Sequence, residues 1–299
     1  MFEYVKEFLK MNDVEYKENA SLATISPIRI GGVARIIAYP DSALKYVGVL
    51  RFLGTVKIKY RVVGRLSNLL TDDLGFSGVI IKTDKLCHIY SDCNSLFTYA
   101  GVSLPVASKL LCKLGLSGFE ELSGIPGSVG GAISGNAGAF GREIADSIAE
   151  ATFYSPDDDC VYTASREELD FSYRHSAFKG GLGYVISARF NLAISSSDYV
   201  SARMREVRSI RLATQPTAEL SLGSTFKRPK GDMPAAKMID ECGLKGYRVG
   251  GAEVSKKHAG FIINIGGATA RDYILLADSV SKRVYNKFGV NLEREVELL

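Results

Sequence analysis

The stretch GIPGSVGGAISGNAGAFG, residues 124–141, holds seven glycines in eighteen residues, where average usage near 7% would supply about one. Glycine admits positive φ and lets another backbone or a ligand approach without a β-carbon in the way, and each one costs chain entropy. So dense a run is too long for one turn. It also lacks the G-x-x-x-x-G-K-[ST] order of a phosphate loop, and no strand is followed by G-x-G-x-x-G with an acid about 20 residues on. Two readings remain: tight packing of loops under a sheet, or a concave series of turns whose N–H groups face an anion or the polar edge of a flat ring. A second segment, VVGRLSN, favours the latter, because Gly64 ends an apolar strand and is followed by Ser67 and Asn68, as suits a turn around phosphate.

A chain of 299 residues is expected to form about two domains. Short β-branched runs at 60–64, 78–83, 184–190 and 260–267 are bounded by Gly or polar residues, the pattern of buried strands. Helices alternate with them. The first 18 residues read as an amphipathic helix. Ser103 can cap a helix with Ala107, Leu110, Leu111 and Leu114 on one face and Gly115 at its end. Thr269 and Asp272 approximate a capping box for a helix over 270–288 closed by Gly289. The weakly periodic passage ATQPTAELSLGS marks a break, so the expected partition is 1–210, with subdomains of about 1–83 and 84–210, followed by 211–299.

No apolar run approaches the roughly 18 residues needed to cross a bilayer, and the N-terminus lacks the basic start and apolar centre of a secretory signal. Five cysteines without a CxxC pair, and three histidines far apart in sequence, point to a reducing cytoplasm and no metal site. The net charge of +4 is modest, and Arg203, Arg205, Arg208 and Arg211 would spread over more than one helical face. A solvated face is expected there, with no nucleic-acid partner.

Six ordered segments resemble the UDP-N-acetylenolpyruvoylglucosamine reductase family, in its shorter, type II form. They are GIPGSVGG with NAGAFGREIAD, then YRHSAF, GSTFKRP, GLKGYRVGGAEVSKKHAGFIIN and FGVNLEREV. The resemblance implies an α+β protein: an FAD-binding fold of the vanillyl-alcohol-oxidase type with a smaller C-terminal α/β substrate-binding domain. It also implies use of FAD and NADPH on a small-molecule substrate; the expected protein is a cytoplasmic monomer without membrane or nucleic-acid partners. Reduced FAD would pass hydride to C3 of UDP-N-acetylglucosamine enolpyruvate, and C2 would then be protonated. By the same resemblance, Gly124, Ile125, Pro126, Gly127, Ser128, Gly130 and Gly131, with Asn136, Ala137 and Gly138, line the FAD. Gly64, Arg65, Leu66, Ser67 and Asn68 cradle its pyrophosphate, and Arg29, Ile30, Gly31 and Gly32 match a further flavin-binding stretch.

Arg174 matches the family's catalytic arginine, Ser224 the serine that supplies the C2 proton, and Glu295 the glutamate that stabilises developing charge or relays a proton. Tyr173, Lys227, Arg228 and His258 fall at substrate-binding positions. The chain departs from the pattern at Leu66, where the family has glycine, at Arg228 and Gly260, where it has asparagine, and at Glu297, where it has arginine. Those departures leave two alternatives open: an FAD oxidoreductase of the same fold with another substrate, or a non-catalytic nucleotide-binding module.

Overall fold

The structure, a computed structural model, describes residues 2–299. The chain divides into two compact units. The first comprises residues up to Glu18 with Ile36–Arg65 and Gly78–Ser209; the second comprises Asn19–Arg35, Leu66–Ser77 and Ile210–Leu299. The second unit thus includes two segments from the N-terminal third, which the partition at 210 assigns to the first domain.

In the first unit, helices Phe2–Met11 and Ala43–Thr55 bury Val5, Leu9, Tyr46, Leu50 and Leu53 in one cluster with Ile36, Ala38, Val79 and Ile81. Those last four come from a sheet of order Glu15–Ser21, Val33–Tyr39, Phe76–Lys82, Tyr60–Val63. The final pair is parallel, from Tyr60↔Val79 to Val63↔Lys82. The N-terminal helix is shorter than the periodicity predicts. Asp13 takes φ +50°, the Val14 N–H returns to Leu9 O at 2.8 Å, and a strand starts at Glu15. This left-handed ending satisfies terminal carbonyls and turns the chain.

The same unit holds a five-stranded antiparallel sheet of order Cys160–Ser165, Ile148–Ser155, Tyr184–Asn191, Ser95–Tyr99, Ile89–Asp92. Helices Leu104–Leu114 and Val129–Ser134 share its core, where Phe119 meets Phe190 edge-on at 5.0 Å. The predicted caps are present: Ser103 Oγ accepts from Val106 N and Gly115 takes φ +67°. Within the Arg-rich helix Ser197–Thr214, Arg203 pairs with Glu121 at 2.8 Å and Glu206 at 2.7 Å, a local ion-pair cluster.

The second unit is a four-stranded sheet of order Leu220–Ser224, Phe261–Asn264, Ala252–Val254, Arg248–Val249. Helix Ala270–Phe288 buries Tyr273, Leu276, Ala277, Val280 and Val284. Its capping box and its left-handed Gly289 are present as predicted. The two N-terminal segments are stitched in by polar contacts: Asn264 Nδ2 donates to Ile28 O at 2.9 Å, and the Asp73 carboxylate accepts from Ala270 N at 2.7 Å and Arg271 N at 3.2 Å. A carboxylate on the first free N–H groups complements the positive end of the helix dipole. Asp73→Ala should therefore lower unfolding stability by about 1 kcal/mol, and Asp73→Asn by less, because the amide oxygen still accepts. Chemical denaturation of the three proteins measures both.

Candidate active site

The glycine-rich run is built differently from the expected series of turns. Its middle is the helix Val129–Ser134, capped by Ser128, whose Oγ accepts from Gly131 N at 3.3 Å. Many of its N–H groups serve the chain itself: Val129 N donates to Val102 O, Gly130 N to Ala100 O, Asn136 N to Ile133 O and Ala137 N to Ala132 O. Close packing explains part of the glycine content, since a β-carbon at Gly64 would lie 2.2 Å from Ser128 Oγ. The two segments read as flavin-facing thus touch each other. Gly124 and Gly131, which carry no side chain, remain exposed, as does Pro126. Exposed glycine peptide lets a flat ring system approach, and in that respect the residues fit FAD.

Asn136 is fully buried, with φ +41°. Its Nδ2 donates to Glu143 Oε2 at 2.7 Å and Ser172 O at 2.9 Å, and its Oδ1 accepts from Ala145 N at 3.3 Å. The side chain is committed to the scaffold. Ser172 and His175 form a tight antiparallel bridge, which makes Tyr173 and Arg174 the two residues of its turn. Arg174 has φ +56°, donates from a terminal nitrogen to Gly138 O at 3.2 Å, and lies 5.0 Å from the centre of the Tyr173 ring. Ser176 Oγ donates to Ser134 O at 2.8 Å. Arg174 is thereby fixed against the glycine run, 36 residues earlier in the chain.

In the second unit, strand Leu220–Ser224 pairs with Phe261–Asn264 through an irregularity between Ser221 and Ser224, where Gly223 takes φ +79°. Such a bulge re-aims the next side chain, and Ser224 is exposed. Thr225 behind it is fully buried; its Oγ1 lies 3.1 Å from the Tyr273 hydroxyl, a phenol whose pKa is raised by burial. Residues 225–227 run antiparallel to 293–295: Glu295 N donates to Thr225 O at 2.9 Å, and Lys227 N to Glu293 O at 2.9 Å. Ser224 and half-buried Glu295 are thus on adjoining backbone segments. Asn68 braces the second segment, with its Nδ2 on Glu295 O at 3.0 Å and its carbonyl accepting from Glu297 N at 3.1 Å.

Lys227 forms an ion pair with Glu293, a partner 66 residues away that local sequence does not announce. Exposed Arg228 donates to Asp232 O at 3.4 Å, and Arg29, with φ +59°, donates to Thr24 O at 2.7 Å. Ile30 is buried and its carbonyl accepts from Thr71 Oγ1 at 2.6 Å, while a β-carbon at Gly31 would strike that same oxygen. Residues 29–32 are thus held within their own unit, with Arg29 exposed and Gly31 and Gly32 part-exposed.

Residues 215–299 match the family model for the C-terminal domain of UDP-N-acetylenolpyruvoylglucosamine reductase, and residues 34–163 match an FAD-binding domain. The reductase of Lactiplantibacillus plantarum is 39% identical over 286 residues, which is 96% of this chain and 94% of that protein. The chain belongs to the UDP-N-acetylenolpyruvoylglucosamine reductase family. The reductase of Streptococcus pneumoniae strain Hungary19A-6 is 38% identical over 99% of this chain and 97% of its own. The crystal structure of the reductase from Thermus caldophilus superposes with a TM-score of 0.79 at 33% identity, covering 95% of this chain and 98% of that one. Berberine bridge enzyme from Eschscholzia californica, at 15% identity and a TM-score of 0.50 over 64% of this chain and 44% of that one, shares the fold alone. The architecture is accordingly the α+β FAD-binding fold of the vanillyl-alcohol-oxidase type with a smaller C-terminal domain, and the family's cofactors are FAD and NADPH.

Two departures from the family pattern acquire a physical description. Leu66 is buried yet takes φ +55°, so the backbone keeps the left-handed conformation that a glycine would favour. Gly260 donates its N–H to His258 Nδ1 at 3.2 Å, and a β-carbon there would sit 3.1 Å from His258 Cε1 and 3.2 Å from Ala236 Cβ. A larger residue at 260 requires the imidazole to move.

Leu66→Gly sets relief of about 1–2 kcal/mol of left-handed strain against the loss of a buried leucine, about 2–5 kcal/mol on the scale of truncation to alanine, with added chain entropy. A net stability loss of about 1–3 kcal/mol is expected in denaturant unfolding of the flavin-free protein. Burial pushes the His258 pKa below its ordinary value. The folded state then binds fewer protons there, so this stability is present above the unfolded value, about 6.5, and is lost as pH falls through the folded one. Melting temperature should accordingly drop less steeply below that value in His258→Gln than in the wild type.

Proposed function

We propose that the chain reduces the enolpyruvyl double bond of UDP-N-acetylglucosamine enolpyruvate to give UDP-N-acetylmuramate, a step of peptidoglycan precursor synthesis. The observation that carries the reading is the 39% identity to a named reductase across 96% of the chain, with every catalytic position of the resemblance occupied. Bound FAD, reduced by NADPH, supplies the hydride for C3. The protein must then hold the substrate carboxylate, stabilise charge where it develops and place a proton at C2.

Arg174 suits the first task. Its planar guanidinium offers five donors in a fork that matches a carboxylate, and the turn that carries it is held on both sides by hydrogen bonds to the glycine run. Ser224 is the proton donor to C2, an exposed hydroxyl on a bulged strand end with a rigid residue behind it. An isolated hydroxyl is a poor acid, so its neighbour on the adjoining segment, Glu295, relays the proton or stabilises the charge that forms. Gly64, Arg65, Leu66, Ser67 and Asn68 would hold the pyrophosphate, and exposed peptide at Gly124, Pro126 and Gly131 would face the ring. Tyr173, Lys227, Arg228 and His258 are read as substrate contacts, with Glu293 as the partner Lys227 keeps or exchanges.

On this reading the chain is a cytoplasmic monomer acting on small molecules. Supporting features are five free cysteines and, among the described residues, no helix long and apolar enough to cross a membrane. Arg228 and Gly260 favour a second reading, the same fold and FAD with a different substrate.

Anaerobic stopped-flow spectroscopy of the flavin separates the readings. Arg174→Ala, Ser224→Ala and Glu295→Gln should each retain FAD, while reoxidation of reduced flavin by the enolpyruvyl substrate slows by about 10²–10⁴ for the proton donor and about 10²–10³ for the charge-stabilising arginine. Undiminished reoxidation in all three refutes the assignment. Reduction by NADPH without any reoxidation in the wild type supports the different-substrate reading.

A further inference from the structure

Lys82 ends the strand Phe76–Lys82 with only 6% of its side chain exposed. Burying an ammonium is costly unless it is paired, and apolar residues in place of both members of a buried ion pair would often serve the packing as well or better. Parallel pairing of Val63 with Lys82 is made by backbone and needs no charge at 82. Two groups share the ammonium: the Asp84 carboxylate, and the carbonyl of Gly64 at 3.3 Å. The next residue, Thr83, lies with its Oγ1 3.5 Å from Val63 O. On its other side Gly64 abuts Ser128 Oγ, the cap of helix Val129–Ser134. A buried positive charge therefore sits directly behind the turn at Gly64.

We propose that Lys82 is a positioning residue for the flavin's pyrophosphate, held by Asp84 in the free protein and drawn toward the anion when FAD binds. It fixes the Gly64 carbonyl, which orients the turn, and its field acts in a poorly solvated place where charge interactions are strong. An ammonium carries three donors and no acceptor, so it can keep Gly64 while Asp84 and the pyrophosphate compete for the rest. The inference rests on the reading that residues 64–68 hold the pyrophosphate.

That competition predicts opposite signs. Fluorescence titration of flavin-free protein with FAD should show Lys82→Met weakening binding by about tenfold or more, as for loss of a charge-assisted contact. Asp84→Asn, which frees the ammonium, should tighten binding by about threefold or more, and Lys82→Arg should stay within about threefold of wild type. Both Lys82→Met and Asp84→Asn should lower the melting temperature of the flavin-free protein, since each splits the pair. Equal weakening of FAD binding by the two, or no effect of Lys82→Met, overturns the proposal and leaves a structural ion pair. A wild type that takes up no FAD, or whose affinity ignores Arg65→Ala and Ser67→Ala together, contradicts the phosphate-turn reading and this proposal with it. Lys82→Met without effect, while those variants weaken binding, contradicts this proposal alone.

Discussion

A fully buried amide has to satisfy its own hydrogen-bonding groups inside the protein, and Asn136 does so by tying three segments together. An unpaired buried polar group costs about 1–3 kcal/mol, so the glycine run, the stretch around Ala145 and the turn after Ser172 are held to one arrangement. That arrangement sustains two left-handed residues, Asn136 itself and Arg174, where strain of about 1–3 kcal/mol each persists only if the surroundings over-determine it. An arginine in such a turn has little freedom to drift. Under the proposed function such restraint suits a group that holds a carboxylate in one orientation, because positioning contributes to rate only while the geometry is kept.

The second unit reaches the same end with different chemistry. Thr225 faces the core and meets the Tyr273 hydroxyl, so the strand cannot rotate, and the bulge at Gly223 leaves Ser224 exposed beside it. Asn68 then secures the backbone of residues 295 and 297 from both its side chain and its carbonyl. Polar side chains here add to the backbone pairing of Glu297–Leu298 with Leu69–Leu70. Ser224 and Glu295 thus stand on irregular edges whose backbone is nonetheless fixed.

Local physics made much of this legible in the sequence. Caps and terminal glycines located helices Leu104–Leu114 and Ala270–Phe288 because their signals lie within a turn of the residues they govern. The order of six motifs pointed to the family because each keeps its residue types whatever the intervening loops do. What escaped depends on partners remote in sequence. Asp73 caps a helix 197 residues away, and nothing in TDDLG announces that. Many glycine N–H groups are spent within the chain, which glycine content cannot reveal. Leu66 departs from the family's glycine, yet its backbone takes the glycine-like conformation while its side chain is buried. Lys82 follows an apolar run in GVIIKTD, and only folding shows its ammonium turned inward to Asp84 and Gly64.

The proposed function is one redox cycle carried by the chain as it is. The visible absorbance of the purified wild-type protein, followed without oxygen, reads that cycle directly. The expected result is a bound flavin band that NADPH bleaches and one equivalent of UDP-N-acetylglucosamine enolpyruvate restores, with UDP-N-acetylmuramate as the product. A colourless protein that gains no flavin band when FAD is supplied, or a bleached flavin that this substrate leaves reduced, would contradict it.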